Sequence, residues 1–242
     1  MSTAQGAAEP VGAVLLDLDG TLLDTAPDMG AALNALLLAE GRTPLAPQTI
    51  RGYVSHGARA LVRLGFPHAV DGQFEALRAR FLALYSDCLV RGTRPFPGAC
   101  ELLEQLEGRG VRWGVVTNKP DWLTQPLLAH LGLRARAGVI VSGDTIPERK
   151  PHPRPLTHAA QQLGVPAVRC LYVGDAERDV LAARAAGMRA LVAAYGYSAP
   201  GEEPRSWPAH GWIDSPLGVL DWLAEERGDS PQLLAAMQAV QQ

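Results

Sequence analysis

Residues 11–18, VGAVLLDL, form an almost unbroken apolar run that closes on Asp-Gly-Thr. That is the pattern of a strand buried on both faces rather than of an amphipathic surface strand. Shorter apolar runs recur at 111–117 (VRWGVVT), 139–142 (VIVS), 170–174 (CLYVG) and 190–194 (ALVAA), and helical patterns separate them at 98–109, 122–131, 153–163 and 176–186. Strands alternating with helices predict an α/β fold, a doubly wound parallel sheet. Such sheets hold ligands at the carboxyl ends of their strands, where loops and helix N-termini gather.

One interval breaks the alternation. From residue 25 to about 94 no strand is evident, only helical patterns at 31–40, 47–64 and 73–89. A small helical cap inserted after the first strand would overhang the strand ends, exclude water and select the substrate. The expected division is a core of residues 1–24 and 95–226, a cap of 25–94 and a helical extension of 227–242. Past the last core strand, 199–210 (APGEEPRSWPAH) reads as a Pro-rich loop leading to a helix over 217–226. Ser230 and Pro231 have the character of an N-cap and a first helical residue. That final helix is expected to pack on the sheet or to mediate self-association, as in a homodimer. The Arg227-Gly228-Asp229 triplet before it is read as a chance tripeptide.

A chain of 242 residues with 47% hydrophobic content has room for one sizeable core, or for a core and a small insert. Its formal net charge of -3 offers no broad basic surface, so neither a nucleic acid nor a membrane is expected as partner. Cys88, Cys100 and Cys170 lack disulfide or metal-site spacing and are expected to be packed thiols. Residues 1–10 show no basic stretch followed by an apolar one, and no later segment is long enough to span a bilayer, so a cytoplasmic address is expected.

The polar residues at the strand ends carry the chemistry. Strand alternation makes Asp17 and Asp19 project the same way, where they repel each other unless a divalent cation intervenes. Taken alone they would read as solvated loop acids. Thr117-Asn118-Lys119 ends the next strand, although a threonine there is ordinarily a turn or cap residue. Lys150 precedes a helix opened near Pro153. Asp175 and Asp179, in GDAERD, stand about one helical turn apart on one side. Acids in such a place also compensate the helix dipole. Lys119 and Arg149 are read as solvated, with Lys119 in reach of the cleft.

Asp17-Leu18-Asp19-Gly20-Thr21 matches D-x-D-G-T, the first motif of the haloacid dehalogenase superfamily, and the other three segments follow in that family's order. The chain resembles this family up to about residue 226, with a cap of the phosphoglycolate phosphatase type. The resemblance implies a Mg2+-dependent phosphatase of small phosphate esters in which Asp17 is the nucleophile that becomes an aspartyl phosphate and Asp19 the general acid and base. It assigns phosphoryl contacts to the Thr117 hydroxyl and the Asn118 backbone amide. Lys150 would hold the nucleophile and the phosphate. The implied metal ligands are Asp17, the Asp19 backbone carbonyl and Asp175, while Asp179 supports the metal shell or orients Lys150. Ala176 departs from the polar residue often found after the fourth-motif Asp. Asp19 counts against a dehalogenase. A sugar phosphomutase shares both aspartates and the cap, and a silent binding protein would have no need of these residues.

In the cap, Ser55-His56-Gly57-Ala58-Arg59 reads as a specificity turn in which Arg59 either meets a substrate carboxylate or is merely solvated. SHGARALV and YGYSAPGEEPRSW look like segments of bacterial N-acetylmuramic acid 6-phosphate phosphatases. That carboxylated sugar phosphate is therefore the expected substrate, with phosphoglycolate the alternative.

Overall fold

The structure, a computed structural model, describes residues 10–226, so the expected terminal helix with Ser230 and Pro231, and the triplet at 227–229, lie outside the described residues. Along the chain run the strands β1 (Ala13–Leu16), β2 (Leu23–Asp24), β3 (Arg94–Pro95), β4 (Arg112–Val116), β5 (Val139–Val141), β6 (Cys170–Gly174), β7 (Arg189–Ala193) and β8 (Gly211–Ile213). The helices are α1 (Ala26–Ala39), α2 (Pro47–Arg51), α3 (Gly57–Gly65), α4 (Asp71–Asp87), α5 (Ala99–Gly108), α6 (Asp121–His130), α7 (Arg154–Leu163), α8 (Glu177–Ala185) and α9 (Gly218–Glu226).

Six strands form one sheet in the order β5-β4-β1-β6-β7-β8, every neighbouring pair parallel. The doubly wound α/β expectation holds. β1 is buried on both faces because its alternate side chains enter two different cores. Val14 and Leu16 pack with Trp113, Val115, Leu171 and Val173 under α5 and α6, through Leu102, Leu106, Leu123 and Leu127. Ala13 and Leu15 pack with Val141 and Tyr172 under α7 and α8, through Leu156, Ala160, Val180 and Ala183. Each fully buried leucine of this kind contributes about 1.5–3 kcal/mol, so a one-residue slip of β1 would forfeit both layers together. β8 is a three-residue edge addition beside β7, too short to show a periodicity in the sequence.

Four helices, α1 to α4, occupy the interval between β2 and β3. The helical pattern over 47–64 is not one helix: Gly57 has φ of +73°, a conformation that L side chains rarely adopt, and it divides α2 and a 3-10 turn (Val54–His56) from α3. β2 and β3 pair antiparallel at the root of the insert, Leu23 opposite Pro95 and Asp24 opposite Arg94. Two-residue strands leave no alternation to read. Next to this ribbon, buried Asp28 in the first turn of α1 accepts from Gly92 N (2.6 Å), Thr93 N (2.9 Å) and Thr93 Oγ1 (2.6 Å), tying the end of the insert to its beginning.

Cys170 is buried and Cys88 half-buried, but Cys100 is exposed on the outward side of α5, against the expectation of three packed thiols. No helix among the described residues is long and apolar enough to cross a membrane.

Asp28→Ala is expected to cost at least about 3 kcal/mol of unfolding free energy, because it strands three donors that each cost about 1–3 kcal/mol when left unpaired. Asp28→Asn, which keeps one acceptor oxygen, should cost less. Urea unfolding of the two variants against the parent chain checks both values.

Candidate active site

The sheet order sets β4, β1 and β6 side by side, so the residues that leave their carboxyl ends meet. Asp17 follows β1 and still donates its amide to Val173 O on β6 at 2.9 Å. Thr117 follows β4, its amide bound to Val141 O, and Asp175 follows β6. Lys150 comes from the loop before α7. Its backbone is gripped by the side chain of Asn118, which accepts the Lys150 amide at 3.0 Å and donates to the Lys150 carbonyl at 3.0 Å. Gly20, at φ of +85°, allows the turn after β1 to pass Asp175: a Cβ there would lie 1.9 Å from Asp175 Oδ2.

At the floor of the site Lys150 is 3%, Asp17 3%, Asp175 2% and Asp179 0% exposed. The Lys150 ammonium donates to Val116 O (3.0 Å) and to the Tyr172 hydroxyl (2.7 Å), and lies 2.7 Å from Asp179 Oδ1 and 2.9 Å from Asp17 Oδ1. Three N–H bonds cannot serve four oxygens equally. The oxygen left without a directed hydrogen bond is Asp17 Oδ1, close in charge but unfilled in geometry. Asp179 Oδ2 accepts the Ala176 amide at 3.1 Å, so Asp179 both opens α8 and holds Lys150. Asp179 therefore stands both in the first turn of α8 and against Lys150.

Carboxylate oxygens of Asp17, Asp175 and Asp179 lie within 4.8 Å of one another. Burial, with the Asp17 and Asp179 carboxylates adding to it, pushes Asp175 up to about 8. Asp179 is raised by burial too, with Lys150 pulling the other way and Asp17 adding to the rise. The Lys150 ammonium, even with the Arg178 guanidinium nearby, does not balance three buried acids. A hard dication would, and the donors are all oxygen, as Mg2+ prefers. The orphaned Asp17 oxygen and the raised acids thus fit a divalent cation held between Asp17 and Asp175.

Above this floor opens a cleft of about 390 Å³, into which Asp17, Asp19, Thr117 and Asn118 face. Thr117 Oγ1 accepts the Lys119 amide at 3.2 Å, leaving its own proton to donate. Lys119 is not the solvated residue expected. It is 7% exposed, its ammonium 3.0 and 3.2 Å from the two Asp19 oxygens and 4.6 Å above the Tyr85 ring. Burial works against its charge, yet Asp19 and then Tyr85 outweigh burial and hold the ammonium above its ordinary range. Asp19 Oδ1 also accepts from Thr25 at 2.7 Å. Arg149 is exposed as expected, on the rim of the cleft.

The turn at 55–59 reaches the site, but not chiefly through Arg59. Arg59, although it borders the cleft, is bound to Glu75 at 2.6 Å and lies over Phe74, its side chain 65% exposed. Gly57 borders the same cleft. Ser55 goes deeper: its hydroxyl donates to Asp175 Oδ2, and its carbonyl accepts from Arg178 at 2.6 Å. Tyr172 and Arg178 are site residues the sequence left unread, while Ser55 and Lys119 were noted only as part of the turn and as a residue in reach of the cleft. Tyr172 alone carried a signal, a phenol inside a strand buried on both faces.

Residues 14–193 match the haloacid dehalogenase-like hydrolase family. The chain is 47% identical to a phosphoglycolate phosphatase of Xanthomonas campestris, over 84% of this chain and 92% of that one. It is 42% identical to an N-acetylmuramic acid 6-phosphate phosphatase of Pseudomonas aeruginosa, over 87% of this chain and 94% of the relative. Among solved structures, that of a predicted phosphoglycolate phosphatase from Haemophilus somnus superposes with a TM-score of 0.79 at 26% identity, covering 87% of this chain and 96% of the other. With a family match over most of its length and phosphatases as its near relatives, the chain belongs to the haloacid dehalogenase-like hydrolases and is a phosphomonoesterase.

Proposed function

We propose that the chain hydrolyses a small carboxylated phosphate ester through an aspartyl phosphate on Asp17, and that N-acetylmuramic acid 6-phosphate fits it best. The observation that carries the reading is the cleft of about 390 Å³ over Asp17, bordered by Arg149 and Arg178 and by Arg59 and Arg78, two guanidinium groups that share the single carboxylate of Glu75. Its charge suits an ester with a second anionic group. Its breadth exceeds what phosphoglycolate, little larger than the phosphate itself, would fill. Met29, Leu82, Tyr85 and Trp122 add apolar wall suited to one face of a sugar ring.

In this mechanism the Asp17 carboxylate, which borders the cleft, attacks phosphorus in line as the ester oxygen departs. Lys150 and the Thr117 hydroxyl, with the Asn118 amide, neutralise the equatorial oxygens. A Mg2+ held by Asp17, Asp175 and the Asp19 carbonyl would supply further positive charge against the phosphoryl group. Asp19, once protonated, gives that proton to the leaving oxygen and regains one from the water that hydrolyses the aspartyl phosphate. To do so its carboxylate gives up part of its pairing with Lys119 and Thr25. Helices α1 to α4 act as the cap that keeps other water out.

A second reading, phosphoglycolate, draws on the relative at 47% identity. Phosphate release from the two compounds at equal Mg2+ separates them: the larger ester is expected to show the higher kcat/KM, and a preference for phosphoglycolate would reverse the ranking.

Asp17→Asn should keep the fold and lose at least ~10³-fold in kcat, as removal of a covalent nucleophile does. Single-turnover assays with circular dichroism as a control test this. A pH effect follows from Asp175. Its folded value of about 8 lies above the ordinary 3.8, so the folded chain binds the extra proton and stability falls as pH rises through that window. Each kcal/mol so lost lowers Tm by roughly 2–4 °C in a chain of this size. Melting curves from pH 5 to 8.5 should show that fall without divalent cation, much less of it in excess Mg2+, and little cation dependence in Asp175→Asn.

A further inference from the structure

The turn that carries Ser55 belongs to the helical insert, yet it is fastened to the fourth-motif segment of the core at two atoms. Its hydroxyl donates to Asp175 Oδ2, and its carbonyl accepts from Arg178 Nη2 at 2.6 Å. Asp175 Oδ2 also accepts the Tyr197 amide at 3.0 Å. The other oxygen, Oδ1, has only a long 3.4 Å contact from Thr21. The two oxygens of one carboxylate are thus treated differently: Oδ2 accepts from the insert and from the loop after β7, and Oδ1 has only the long Thr21 contact. The same turn is seated on the core elsewhere. Gly52 lies so near Ser198 O that a Cβ would come within 2.6 Å, and His56 Nε2 stands 3.1 Å from Glu202 Oε1.

We infer that Ser55 is a positioning residue that links closure of the insert to cation binding. By occupying Oδ2 it fixes the rotation of the Asp175 carboxylate and presents Oδ1 to the metal. The inference rests on the reading of Asp175 as a cation ligand. Groups that orient a ligating carboxylate typically contribute 10–100-fold to metal affinity. The link is reciprocal: whatever affinity the docked turn adds to the cation, the cation adds to docking of the turn. The cation then favours a closed insert before any substrate arrives, and an insert that opens to release product loosens the metal's ligand at the same moment. Without Ser55 the carboxylate keeps its amide contact from Tyr197 but loses the contact that reports the position of the insert.

The test is Mg2+ titration by calorimetry of the full chain, with no substrate present, for the parent, Ser55→Ala and Ser55→Thr. The parent should bind the ion, Ser55→Ala should bind about tenfold or more weakly, and Ser55→Thr, which keeps a hydroxyl, should recover most of the loss. Hydrogen exchange gives the reciprocal readout: Mg2+ should slow exchange at residues 51–57 in the parent and not in Ser55→Ala. A parent that binds no Mg2+ removes the cation reading itself, and this inference with it. A parent and a Ser55→Ala protein of equal Mg2+ affinity, or equal slowing at 51–57 in both, overturn the inference alone. A serine that merely packed would lower the melting temperature on replacement and leave the Mg2+ affinity where it was, which also overturns it.

Discussion

A single buried ammonium among three buried carboxylates sets the terms for everything around it. Lys150 touches Asp17 and Asp179 directly, and Asp175 stands within the same small volume. Such a group of charges is tolerable in a protein interior only if each is paired and hydrogen-bonded. Here negative charge is left over even with Arg178 nearby, and burial together with that excess raises the pKa values of Asp175 and Asp179. The chain holds these acids together because the fold leaves them no other place. Asp17 and Asp175 stand at the ends of adjacent strands and Asp179 in the first turn of the helix that follows, and those strands are held by two hydrophobic layers.

The geometry around that ammonium also sorts the acids into different tasks. Asp179 is committed, with one oxygen on Lys150 and the other on the Ala176 amide. Asp175 is half committed, its Oδ2 filled by Ser55 and Tyr197. Asp17 is the least encumbered, its Oδ1 within reach of the ammonium but outside the direction of any N–H. A nucleophile needs an available lone pair, and a supporting residue needs the opposite. The order in which hydrogen bonds are withheld thus parallels the roles proposed for the three residues.

Much of this was legible in the sequence, for identifiable reasons. Doubly buried strands have no polar alternation to obscure them, so VGAVLLDL, VRWGVVT and CLYVG announce a central parallel sheet, and the polar residues that end them announce a site. Where signals were short or long-range, reading failed. β2, β3 and β8 have too few residues to show a period, and the break between α2 and α3 turns on one glycine at positive φ. Lys119 looked like a solvated loop residue because its partner lies a hundred positions away, at Asp19. Ser55 met the same limit: nothing in SHGAR says that the serine, rather than the arginine, reaches a core carboxylate. Asn118 was read for its backbone amide, whereas its side chain performs the visible task of gripping the Lys150 backbone.

These long-range contacts are of one kind. Lys119 reaches Asp19, Asn118 clamps Lys150, Arg178 and Asp175 hold Ser55, and Asp28 closes the base of the insert. None adds a reacting atom. Each removes a degree of freedom from a residue whose side chain, or whose element, must be held at the strand ends. Preorganisation of this sort matters most for phosphoryl transfer, in which the protein does little bond-making of its own and catalysis consists largely of holding opposite charges at fixed positions. A site assembled from several separate stretches of chain can keep those positions only if neighbouring stretches restrain one another. Sequence motifs therefore name the groups proposed for the chemistry, while the precision of the site resides in contacts that leave no motif behind.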